Sequence, residues 1–218
     1  FLAWRKLNSE GKKAESALGK LFADKKASPQ HRARALWLLA RTNRDAAFAA
    51  LKDGDANIRI TALRTLRQLQ AADDLTAAEQ LAADPDPKVR REVAIAIRHS
   101  DAAKANKIWG QLAAQYTPGD RWALEALGIG ADLHWDARFA AVKSPHAEII
   151  WRSRASASAE LITKLLLASK GDEAAKYPRA LQFQTDKSAV NKAFALVFQK
   201  GDQESALIAA NQLRSEAI

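Results

Sequence analysis

Apolar positions along the chain recur at intervals of three and four residues, the spacing of one side of an α-helix. In segment 75–84, for example, Leu75, Ala78, Leu81 and Ala82 form one apolar stripe between polar positions. The same pattern predicts a first set of helices, at 14–24, 44–53, 75–84, 102–116, 134–143, 159–169 and 187–200. Because each is amphipathic, each must bury one side against a neighbouring element.

A second set of predicted helices alternates with the first and carries a recurring arginine. These helices are predicted at 28–40, 55–69, 86–98, 118–128, 147–157 and 176–183. Their arginines are Arg32, Arg59, Arg90, Arg121, Arg152 and Arg179, at intervals of 27 or 31 residues. Three residues after each of the first five comes a small or aliphatic side chain, on about the same helical side; Gln182 breaks the rule in the sixth unit.

Turn residues support this frame. All six prolines fall just before these second helices or in their first turn, where proline costs no helical hydrogen bond. Polar side chains precede the same helices in positions that favour N-capping: Ser28, Asp84, Asp86, Thr117 and Ser144.

A period of about 30 residues built from two antiparallel helices is typical of an α-solenoid, in which stacked hairpins share one continuous core. The sequence therefore predicts an all-α chain with about six to seven helical hairpins in a single domain, residues 1–218. The unit "DPKVRREV" at 86–93 resembles HEAT repeats.

That resemblance implies a role for the recurring arginines. In HEAT repeats an Asp in the hairpin turn and an Arg in the second helix form a ladder along one edge of the array. We expect Asp55 to pair with Arg59, Asp86 with Arg90, and Asp120 with Arg121, and we expect Arg32 to belong to the same ladder. Direct contact of these arginines with a ligand is the alternative.

Composition excludes several classes of site. Alanine is abundant, which favours helices, and no apolar run approaches the ~20 residues of a membrane helix, so we expect no membrane insertion. The chain has no cysteine, which rules out disulfides, thiolate catalysis, Cys-ligated zinc and haem attachment through CxxCH within it. It also has no methionine, even at its start, and we expect it to be a segment of a longer protein.

The stretch "DRWALEALGIGADLHWD" at 120–136 concentrates reactive side chains. Glu125 and Asp132 flank Gly128 and Gly130, but nothing in the sequence brings a second reactive group to these carboxylates, so we assign no catalytic residue. We expect at least one of the two glycines to end a helix; a phosphate-binding loop is the alternative. The four histidines lack metal-site spacing, so we expect neither a metal nor a cofactor.

Tryptophan beside arginine defines a candidate binding surface. Trp122 follows Arg121 and Trp151 precedes Arg152, at almost the same repeat position. Aromatic and arginine side chains together suit a protein-binding hot spot or the stacking of unpaired bases. The alternative is that the tryptophans, with Trp37 and Trp109, pack in the core between repeats.

Longer stretches carry a more specific resemblance. Four stretches are similar to the HEAT-like segment of large exported proteins of planctomycetes and related bacteria: "RARALWLLAR" at 32–41, "DPDPKVRREVAIAIR" at 84–98, "QLAAQYTPGDRWALEALGIGADLHWDARFAA" at 111–141 and "IIWRSR" at 149–154. Those proteins resemble a glucose dehydrogenase-like propeller, a helical array and a c-type cytochrome domain in succession. The resemblance implies a periplasmic or exported location and a spacer or docking role without chemistry of its own.

The sequence thus favours a non-catalytic scaffold that binds protein, either a partner or neighbouring domains of its own chain. The net charge of +9 also permits nucleic-acid binding. The rival function is a nucleic-acid-binding solenoid similar to the HEAT-like alkylpurine DNA glycosylases. A small-molecule lyase on the same fold is a third possibility, and it requires a deep pocket.

Overall fold

A computed structural model describes residues 2–69 and 75–215, and every regular element in these two ranges is helical. The all-α class and the α-solenoid type of repeat are therefore confirmed. Contacts divide the chain into two compact units, 1–112 and 113–218, and each is described by itself. The single domain over residues 1–218 stays a prediction.

The first unit contains α1 and three helical hairpins. A 3₁₀ turn, Gly11–Ala14, joins α1 to α2. The helices are α1 Leu2–Glu10, α2 Glu15–Ala23, α3 Pro29–Leu39, α4 Arg44–Ala50, α5 Ala56–Leu69, α6 Thr76–Leu81, α7 Pro87–Ala96 and α8 Ala103–Ala114, which crosses the unit boundary. The second helices α3, α5 and α7 pack side by side, and α2, α4 and α6 each pack on the second helix of their own hairpin.

The second unit continues with shorter and less regular helices. They are α9 Arg121–Ala131, α10 Trp135–Ala140, α11 Ala147–Arg152, α12 Ser158–Ala168, α13 Gly171–Ala174, α14 Tyr177–Gln182, α15 Lys187–Lys200 and α16 Gln203–Ser215. Within this unit α11 packs on both α9 and α14, and α14 packs on α16. No described helix of either unit is long and apolar enough to cross a membrane.

The core follows the predicted apolar stripes. In the first unit Leu36, Ile58, Leu66 and Val89 of the second helices are fully buried. Small alanines lie among them, and they allow neighbouring helices to approach closely. Trp109 is also fully buried, which confirms the core alternative for this tryptophan.

Two of the five predicted caps are confirmed, and a third, Asp84, is wrong because Asp86 caps the same helix. Ser28 and Asp86 accept hydrogen bonds from the first turns of α3 and α7, each followed by proline at the first helical position. The predictions for Thr117 and Ser144 are wrong because the helices begin later. Gly119 adopts a φ of 82° that favours glycine, so α9 begins after it with Asp120 as its cap. Before α11 the cap is His146.

The predicted C-capping role of the glycine pair is also wrong. Gly128 and Gly130 lie inside α9, which continues to Ala131, and both are buried. A Cβ on Gly128 would lie 2.8 Å from Cζ of Arg152. The missing side chain of Gly128 thus leaves room for the Arg152 guanidinium directly against the helix backbone. With α9 continuous, no phosphate-binding loop exists at this position.

Candidate interaction surfaces

The first three recurring arginines occupy equivalent positions in the first unit. Arg32, Arg59 and Arg90 are each the fourth residue of their second helix. Arg121 is instead the first residue of α9, and Arg152 is the last residue of α11. The predicted register therefore holds in the first unit and fails in the second.

An arginine ladder links successive hairpins of the first unit. Nη2 of Arg32 donates to Oδ2 of Asp53 at 2.6 Å, and Nε donates to the Phe22 carbonyl at 2.9 Å. Arg59 binds Asp84 with two hydrogen bonds, of 2.7 and 2.8 Å, a geometry that matches the planar guanidinium to the carboxylate. Each arginine–aspartate pair joins a second helix to the turn that follows the next first helix.

The acidic partners differ from the predicted ones. The ladder uses the first Asp of the sequences D-G-D at 53–55 and D-P-D at 84–86, whereas the second Asp caps the helix that follows. Asp55 accepts from the Asn57 amide at 2.8 Å, and Asp86 accepts from the Lys88 amide at 2.8 Å. The predicted pairings of Asp55 with Arg59 and of Asp86 with Arg90 are wrong.

The ladder ends at the third arginine. Nη1 of Arg90 donates to the carbonyls of Asp84 and Pro85, at 2.7 and 3.1 Å. The interval of 31 residues that separates Asp53 from Asp84 leads next to Gln115, which carries no charge. Asp120 caps α9 through the Ala123 amide rather than pairing with Arg121.

Ladder carboxylates are held in the ionised form. Burial opposes ionisation of Asp53, but hydrogen bonds from Arg32, Lys25 and the Asp55 amide outweigh it and lower its pKa to about 2. Burial likewise raises the pKa of Asp84, and the hydrogen bonds from Arg59 and the Asp86 amide reverse that effect, so that the pKa is lowered. These charges are structural, because the paired side chains are almost wholly buried.

The opposite side of the same three helices faces solvent and is basic. Counted from the ladder arginine, positions three, four and seven after are buried in all three helices, whereas positions one and five after are exposed or half-buried in all three. Positions two and eight after turn outward in two of the three helices, because Glu92 and Ala40 are buried.

We call six of the residues at these outward positions the arginine face: Arg34, Trp37, Ile60, Arg67, Arg91 and Ile95. Arg34 and Arg67 are exposed and the other four are half-buried. Thr61, Arg64 and Arg98 also lie at such positions.

The arginines of this face have no ion pair with any residue that the structure describes. Across residues 2–69 and 75–215, no ion pair involves Arg34, Arg67 or Arg91. Arg64 is different, because its Nη2 donates to Glu92 at 2.6 Å. Glu92 is the one acidic residue within α3, α5 and α7.

The predicted surface in the second unit separates into different environments. Arg121 and Trp122 are exposed at the start of α9, and the Trp122 side chain is 71% exposed. Arg152 instead lies against α9, where its guanidinium is 3.4 Å from Glu125 and 3.8 Å from Asp132. Those two carboxylates therefore hold Arg152. Trp151 is 37% exposed and lines a pocket.

That pocket, of about 670 Å³, is lined by residues of α9, α11, α13, α14 and α16. Its walls include Trp151, Glu148, Glu173, Lys176 and Tyr177. The Tyr177 hydroxyl donates to Glu173 at 2.7 Å, and Lys176 Nζ lies 2.7 Å from the other oxygen of the same carboxylate. Burial and the Glu173 acceptor raise the pKa of Tyr177 to about 12.

A second tyrosine–glutamate pair lies at the edge of the pocket. Tyr116 donates its hydroxyl to Glu148, which also accepts from the Gly119 amide. These bonds lower the pKa of Glu148, and burial together with Glu148 raises the pKa of Tyr116. Sequence reasoning missed both pairs; the one signal was that the chain has just two tyrosines.

Within the described ranges, no group of three or more His, Cys, Asp or Glu side chains is placed to hold a metal ion. The four carboxylates of the second unit discussed above are each engaged, two with Arg152 and two with tyrosines. The charged and aromatic side chains of the second unit thus form surfaces suited to contact with a ligand.

Comparison with known proteins gives one match. Residues 16–107 match the sequence model of a family described as HEAT repeats. This range lies within the unit that contains the arginine ladder. No curated protein and no solved structure matches the chain.

Proposed function

We propose that this chain is a non-catalytic scaffold that binds protein. The match of residues 16–107 to HEAT repeats supports this proposal, because it supports membership of the HEAT-repeat superfamily. HEAT repeats commonly act as scaffolds for protein interactions. One observation carries the proposal to this chain. The arginine face places large apolar side chains, among them Trp37, next to arginines without an ion pair among the described residues, on the solvent side of three consecutive second helices.

The mixture of side chains favours protein over nucleic acid. A phosphate backbone is recognised by positive charge, and its binding does not require aliphatic contacts. Ile60 and Ile95 have no ring on which a base can stack, yet both remain half-exposed on the arginine face. Aromatic and arginine side chains are also enriched in protein interfaces, where lysine is depleted.

A selection from a library of random peptides displayed on phage tests the proposed function. We expect peptides that share a pattern of side chains to be enriched on the purified chain and to bind it as free peptides. Duplex DNA is the competing ligand. If no peptide is enriched, while DNA binds at ~50 mM salt and weakens with a log–log slope of several units as salt rises, the chain is the rival nucleic-acid-binding solenoid.

We further propose that this scaffold belongs to a larger exported redox protein and lies in the periplasm or outside the cell. The support is the resemblance of segments 32–41, 111–141 and 149–154 to the helical part of such proteins. In that setting the scaffold holds no cofactor of its own and contacts neighbouring domains. Sequencing the whole gene tests this proposal: flanking regions without a propeller and without CxxCH overturn it.

A further inference from the structure

The partner's chemistry follows from what the arginine face lacks. The ladder arginines Arg32 and Arg59 are neutralised by aspartates inside the array, and Arg64 is neutralised by Glu92. Arg34, Arg67 and Arg91 have no such counterion among the described residues. Positive charge on this surface is therefore left for a ligand, and a complementary ligand is acidic.

Charge alone does not describe the face. Trp37, Ile60 and Ile95 lie among the arginines and are half-exposed. A ligand that covers these three side chains must itself carry apolar side chains, because apolar surface is favourably buried against apolar surface. A ligand that satisfies both requirements alternates carboxylates with large apolar groups, as a protein segment can.

The dimensions fit a short segment. Packed helices lie about 8–10 Å apart, so α3 and α7 are separated by roughly 20 Å across α5. An extended chain rises by about 3.3 Å per residue, so roughly six residues span from Arg34 to Arg91. Arg67 lies about two helical turns beyond Arg59 along α5. The arginine face therefore extends along the helix axes as well as across the three helices.

We propose that the arginine face binds a segment of a partner protein in which Asp or Glu alternates with large apolar residues over about six residues. This inference rests on the proposed scaffold function and names its ligand and its site. Acidic carboxylates pair with Arg34, Arg67 and Arg91, while the apolar groups cover Trp37, Ile60 and Ile95.

Binding of three labelled peptides, measured by fluorescence anisotropy at ~150 mM salt, tests the inference. The first alternates Glu with Leu and Trp, the second replaces each Glu with Gln, and the third replaces each Leu and Trp with Ser. We expect the first to bind at least about tenfold more tightly than either of the others. Equal binding of the first and third peptides overturns the inference, because it shows a surface for polyanions in general.

Charge-reversal variants locate the site. The triple variant Arg34→Glu, Arg67→Glu and Arg91→Glu is expected to lose at least about tenfold in affinity for the first peptide. The matched control is Lys20→Glu, Lys52→Glu and Lys107→Glu, with the same change in net charge at exposed lysines outside α3, α5 and α7. Circular dichroism confirms that both variants fold.

The two proposals fail in different ways. If the library yields peptides that both triple variants bind equally, the arginine face is not their site, and the scaffold function stands. If neither the library nor the designed peptides bind, the scaffold function itself is wrong.

Discussion

Substituting Asp53 tests the ladder and its register at once. In Asp53→Asn the amide oxygen can still accept from the Asp55 amide, as Oδ1 does now at 2.9 Å. The new NH₂ group replaces Oδ2 and faces two donors, Arg32 at 2.6 Å and Lys25 at 2.8 Å. The substitution therefore removes the charge and opposes donor to donor while it leaves the size of the side chain unchanged.

The expected loss follows from the pKa of Asp53. Its value of about 2, against 3.8 for the ordinary carboxyl group, means that the folded state prefers the ionised form. That preference is equivalent to about 2 kcal/mol of the free energy of unfolding at neutral pH. Because the folded pKa is the lower one, the contribution is complete above pH ~5 and is lost as the pH falls towards ~2.

Urea unfolding followed by circular dichroism measures this loss. At pH 7 we expect Asp53→Asn to be about 2 kcal/mol less stable than the unsubstituted chain, and we expect the difference to shrink as the pH is lowered towards ~2. The matched control is Asp55→Asn in the same turn. Asn caps a helix about as well as Asp, so this variant should change the stability by less than ~0.5 kcal/mol.

Two results contradict the reasoning. If Asp55→Asn is as unstable as Asp53→Asn, the result supports the pairing of Asp55 with Arg59 that was expected from the sequence. A difference between Asp53→Asn and the unsubstituted chain that stays constant from pH 7 to pH ~2 shows that the carboxylate charge is not its cause.

Other substitutions give effects of different sign. Gly19→Ala, with open space at its Cβ, should raise the free energy of unfolding by ~0.5–1 kcal/mol in urea. Gly128→Leu should lower it by ~0–2 kcal/mol, because displacing Arg152 costs ~1–3 kcal/mol and the better helix propensity of leucine offsets ~1 kcal/mol; an increase of the full ~1 kcal/mol would refute that contact. Trp122→Ser should leave the thermal midpoint within about 2 °C of the original, because this exposed ring packs little; a large drop would mean it is buried. In an alkaline absorbance titration neither tyrosine should ionise near pH 10, because burial and a glutamate acceptor raise both pKa values, that of Tyr177 to about 12.

Helical periodicity was enough to predict most of the fold. The segment 187–200 agrees with α15 at both ends, and the predicted second helices of the first unit agree with α3, α5 and α7 within two residues. These helices bury a continuous apolar stripe and begin at a proline or directly after an aspartate, so local sequence defines them. Prediction was poorer at α11, which ends at Arg152 although the pattern extended to 157.

The ladder shows why an equivalent position in successive repeats does not identify the residue with which a side chain pairs. In D-G-D and D-P-D both aspartates precede the helix by a few residues, and the pattern alone does not separate the capping residue from the partner of an arginine. The second Asp is next to the helix start, so its carboxylate reaches the free amides of the first turn. The first Asp then faces the arginine of the preceding hairpin, a contact that depends on stacking between repeats.

In the second unit the sequence predicted which residues are unusual, but it did not predict their environment. Arg152 was grouped with Trp122 because each lies at or beside a recurring arginine, yet Arg152 is held by Glu125 and Trp122 is in solvent. The deciding feature is Gly128, whose missing side chain admits the guanidinium. A glycine inside a helix carries no sequence signal for the distant residue that occupies its space.

Arginine serves two purposes on opposite sides of the same helices, and Arg64 lies on the outward side, five residues after the ladder arginine of α5. Its side chain is 55% exposed beside the arginine face, whereas its partner Glu92 is only 9% exposed. An acidic ligand that attracted Arg64 would leave Glu92 buried without a counterion, which is strongly unfavourable. Arg64 is thus already paired with Glu92, whereas Arg34, Arg67 and Arg91 have no ion pair among the described residues. This is why the charge-reversal test needs those three positions, and why reversing Arg64 would report on folding instead of binding.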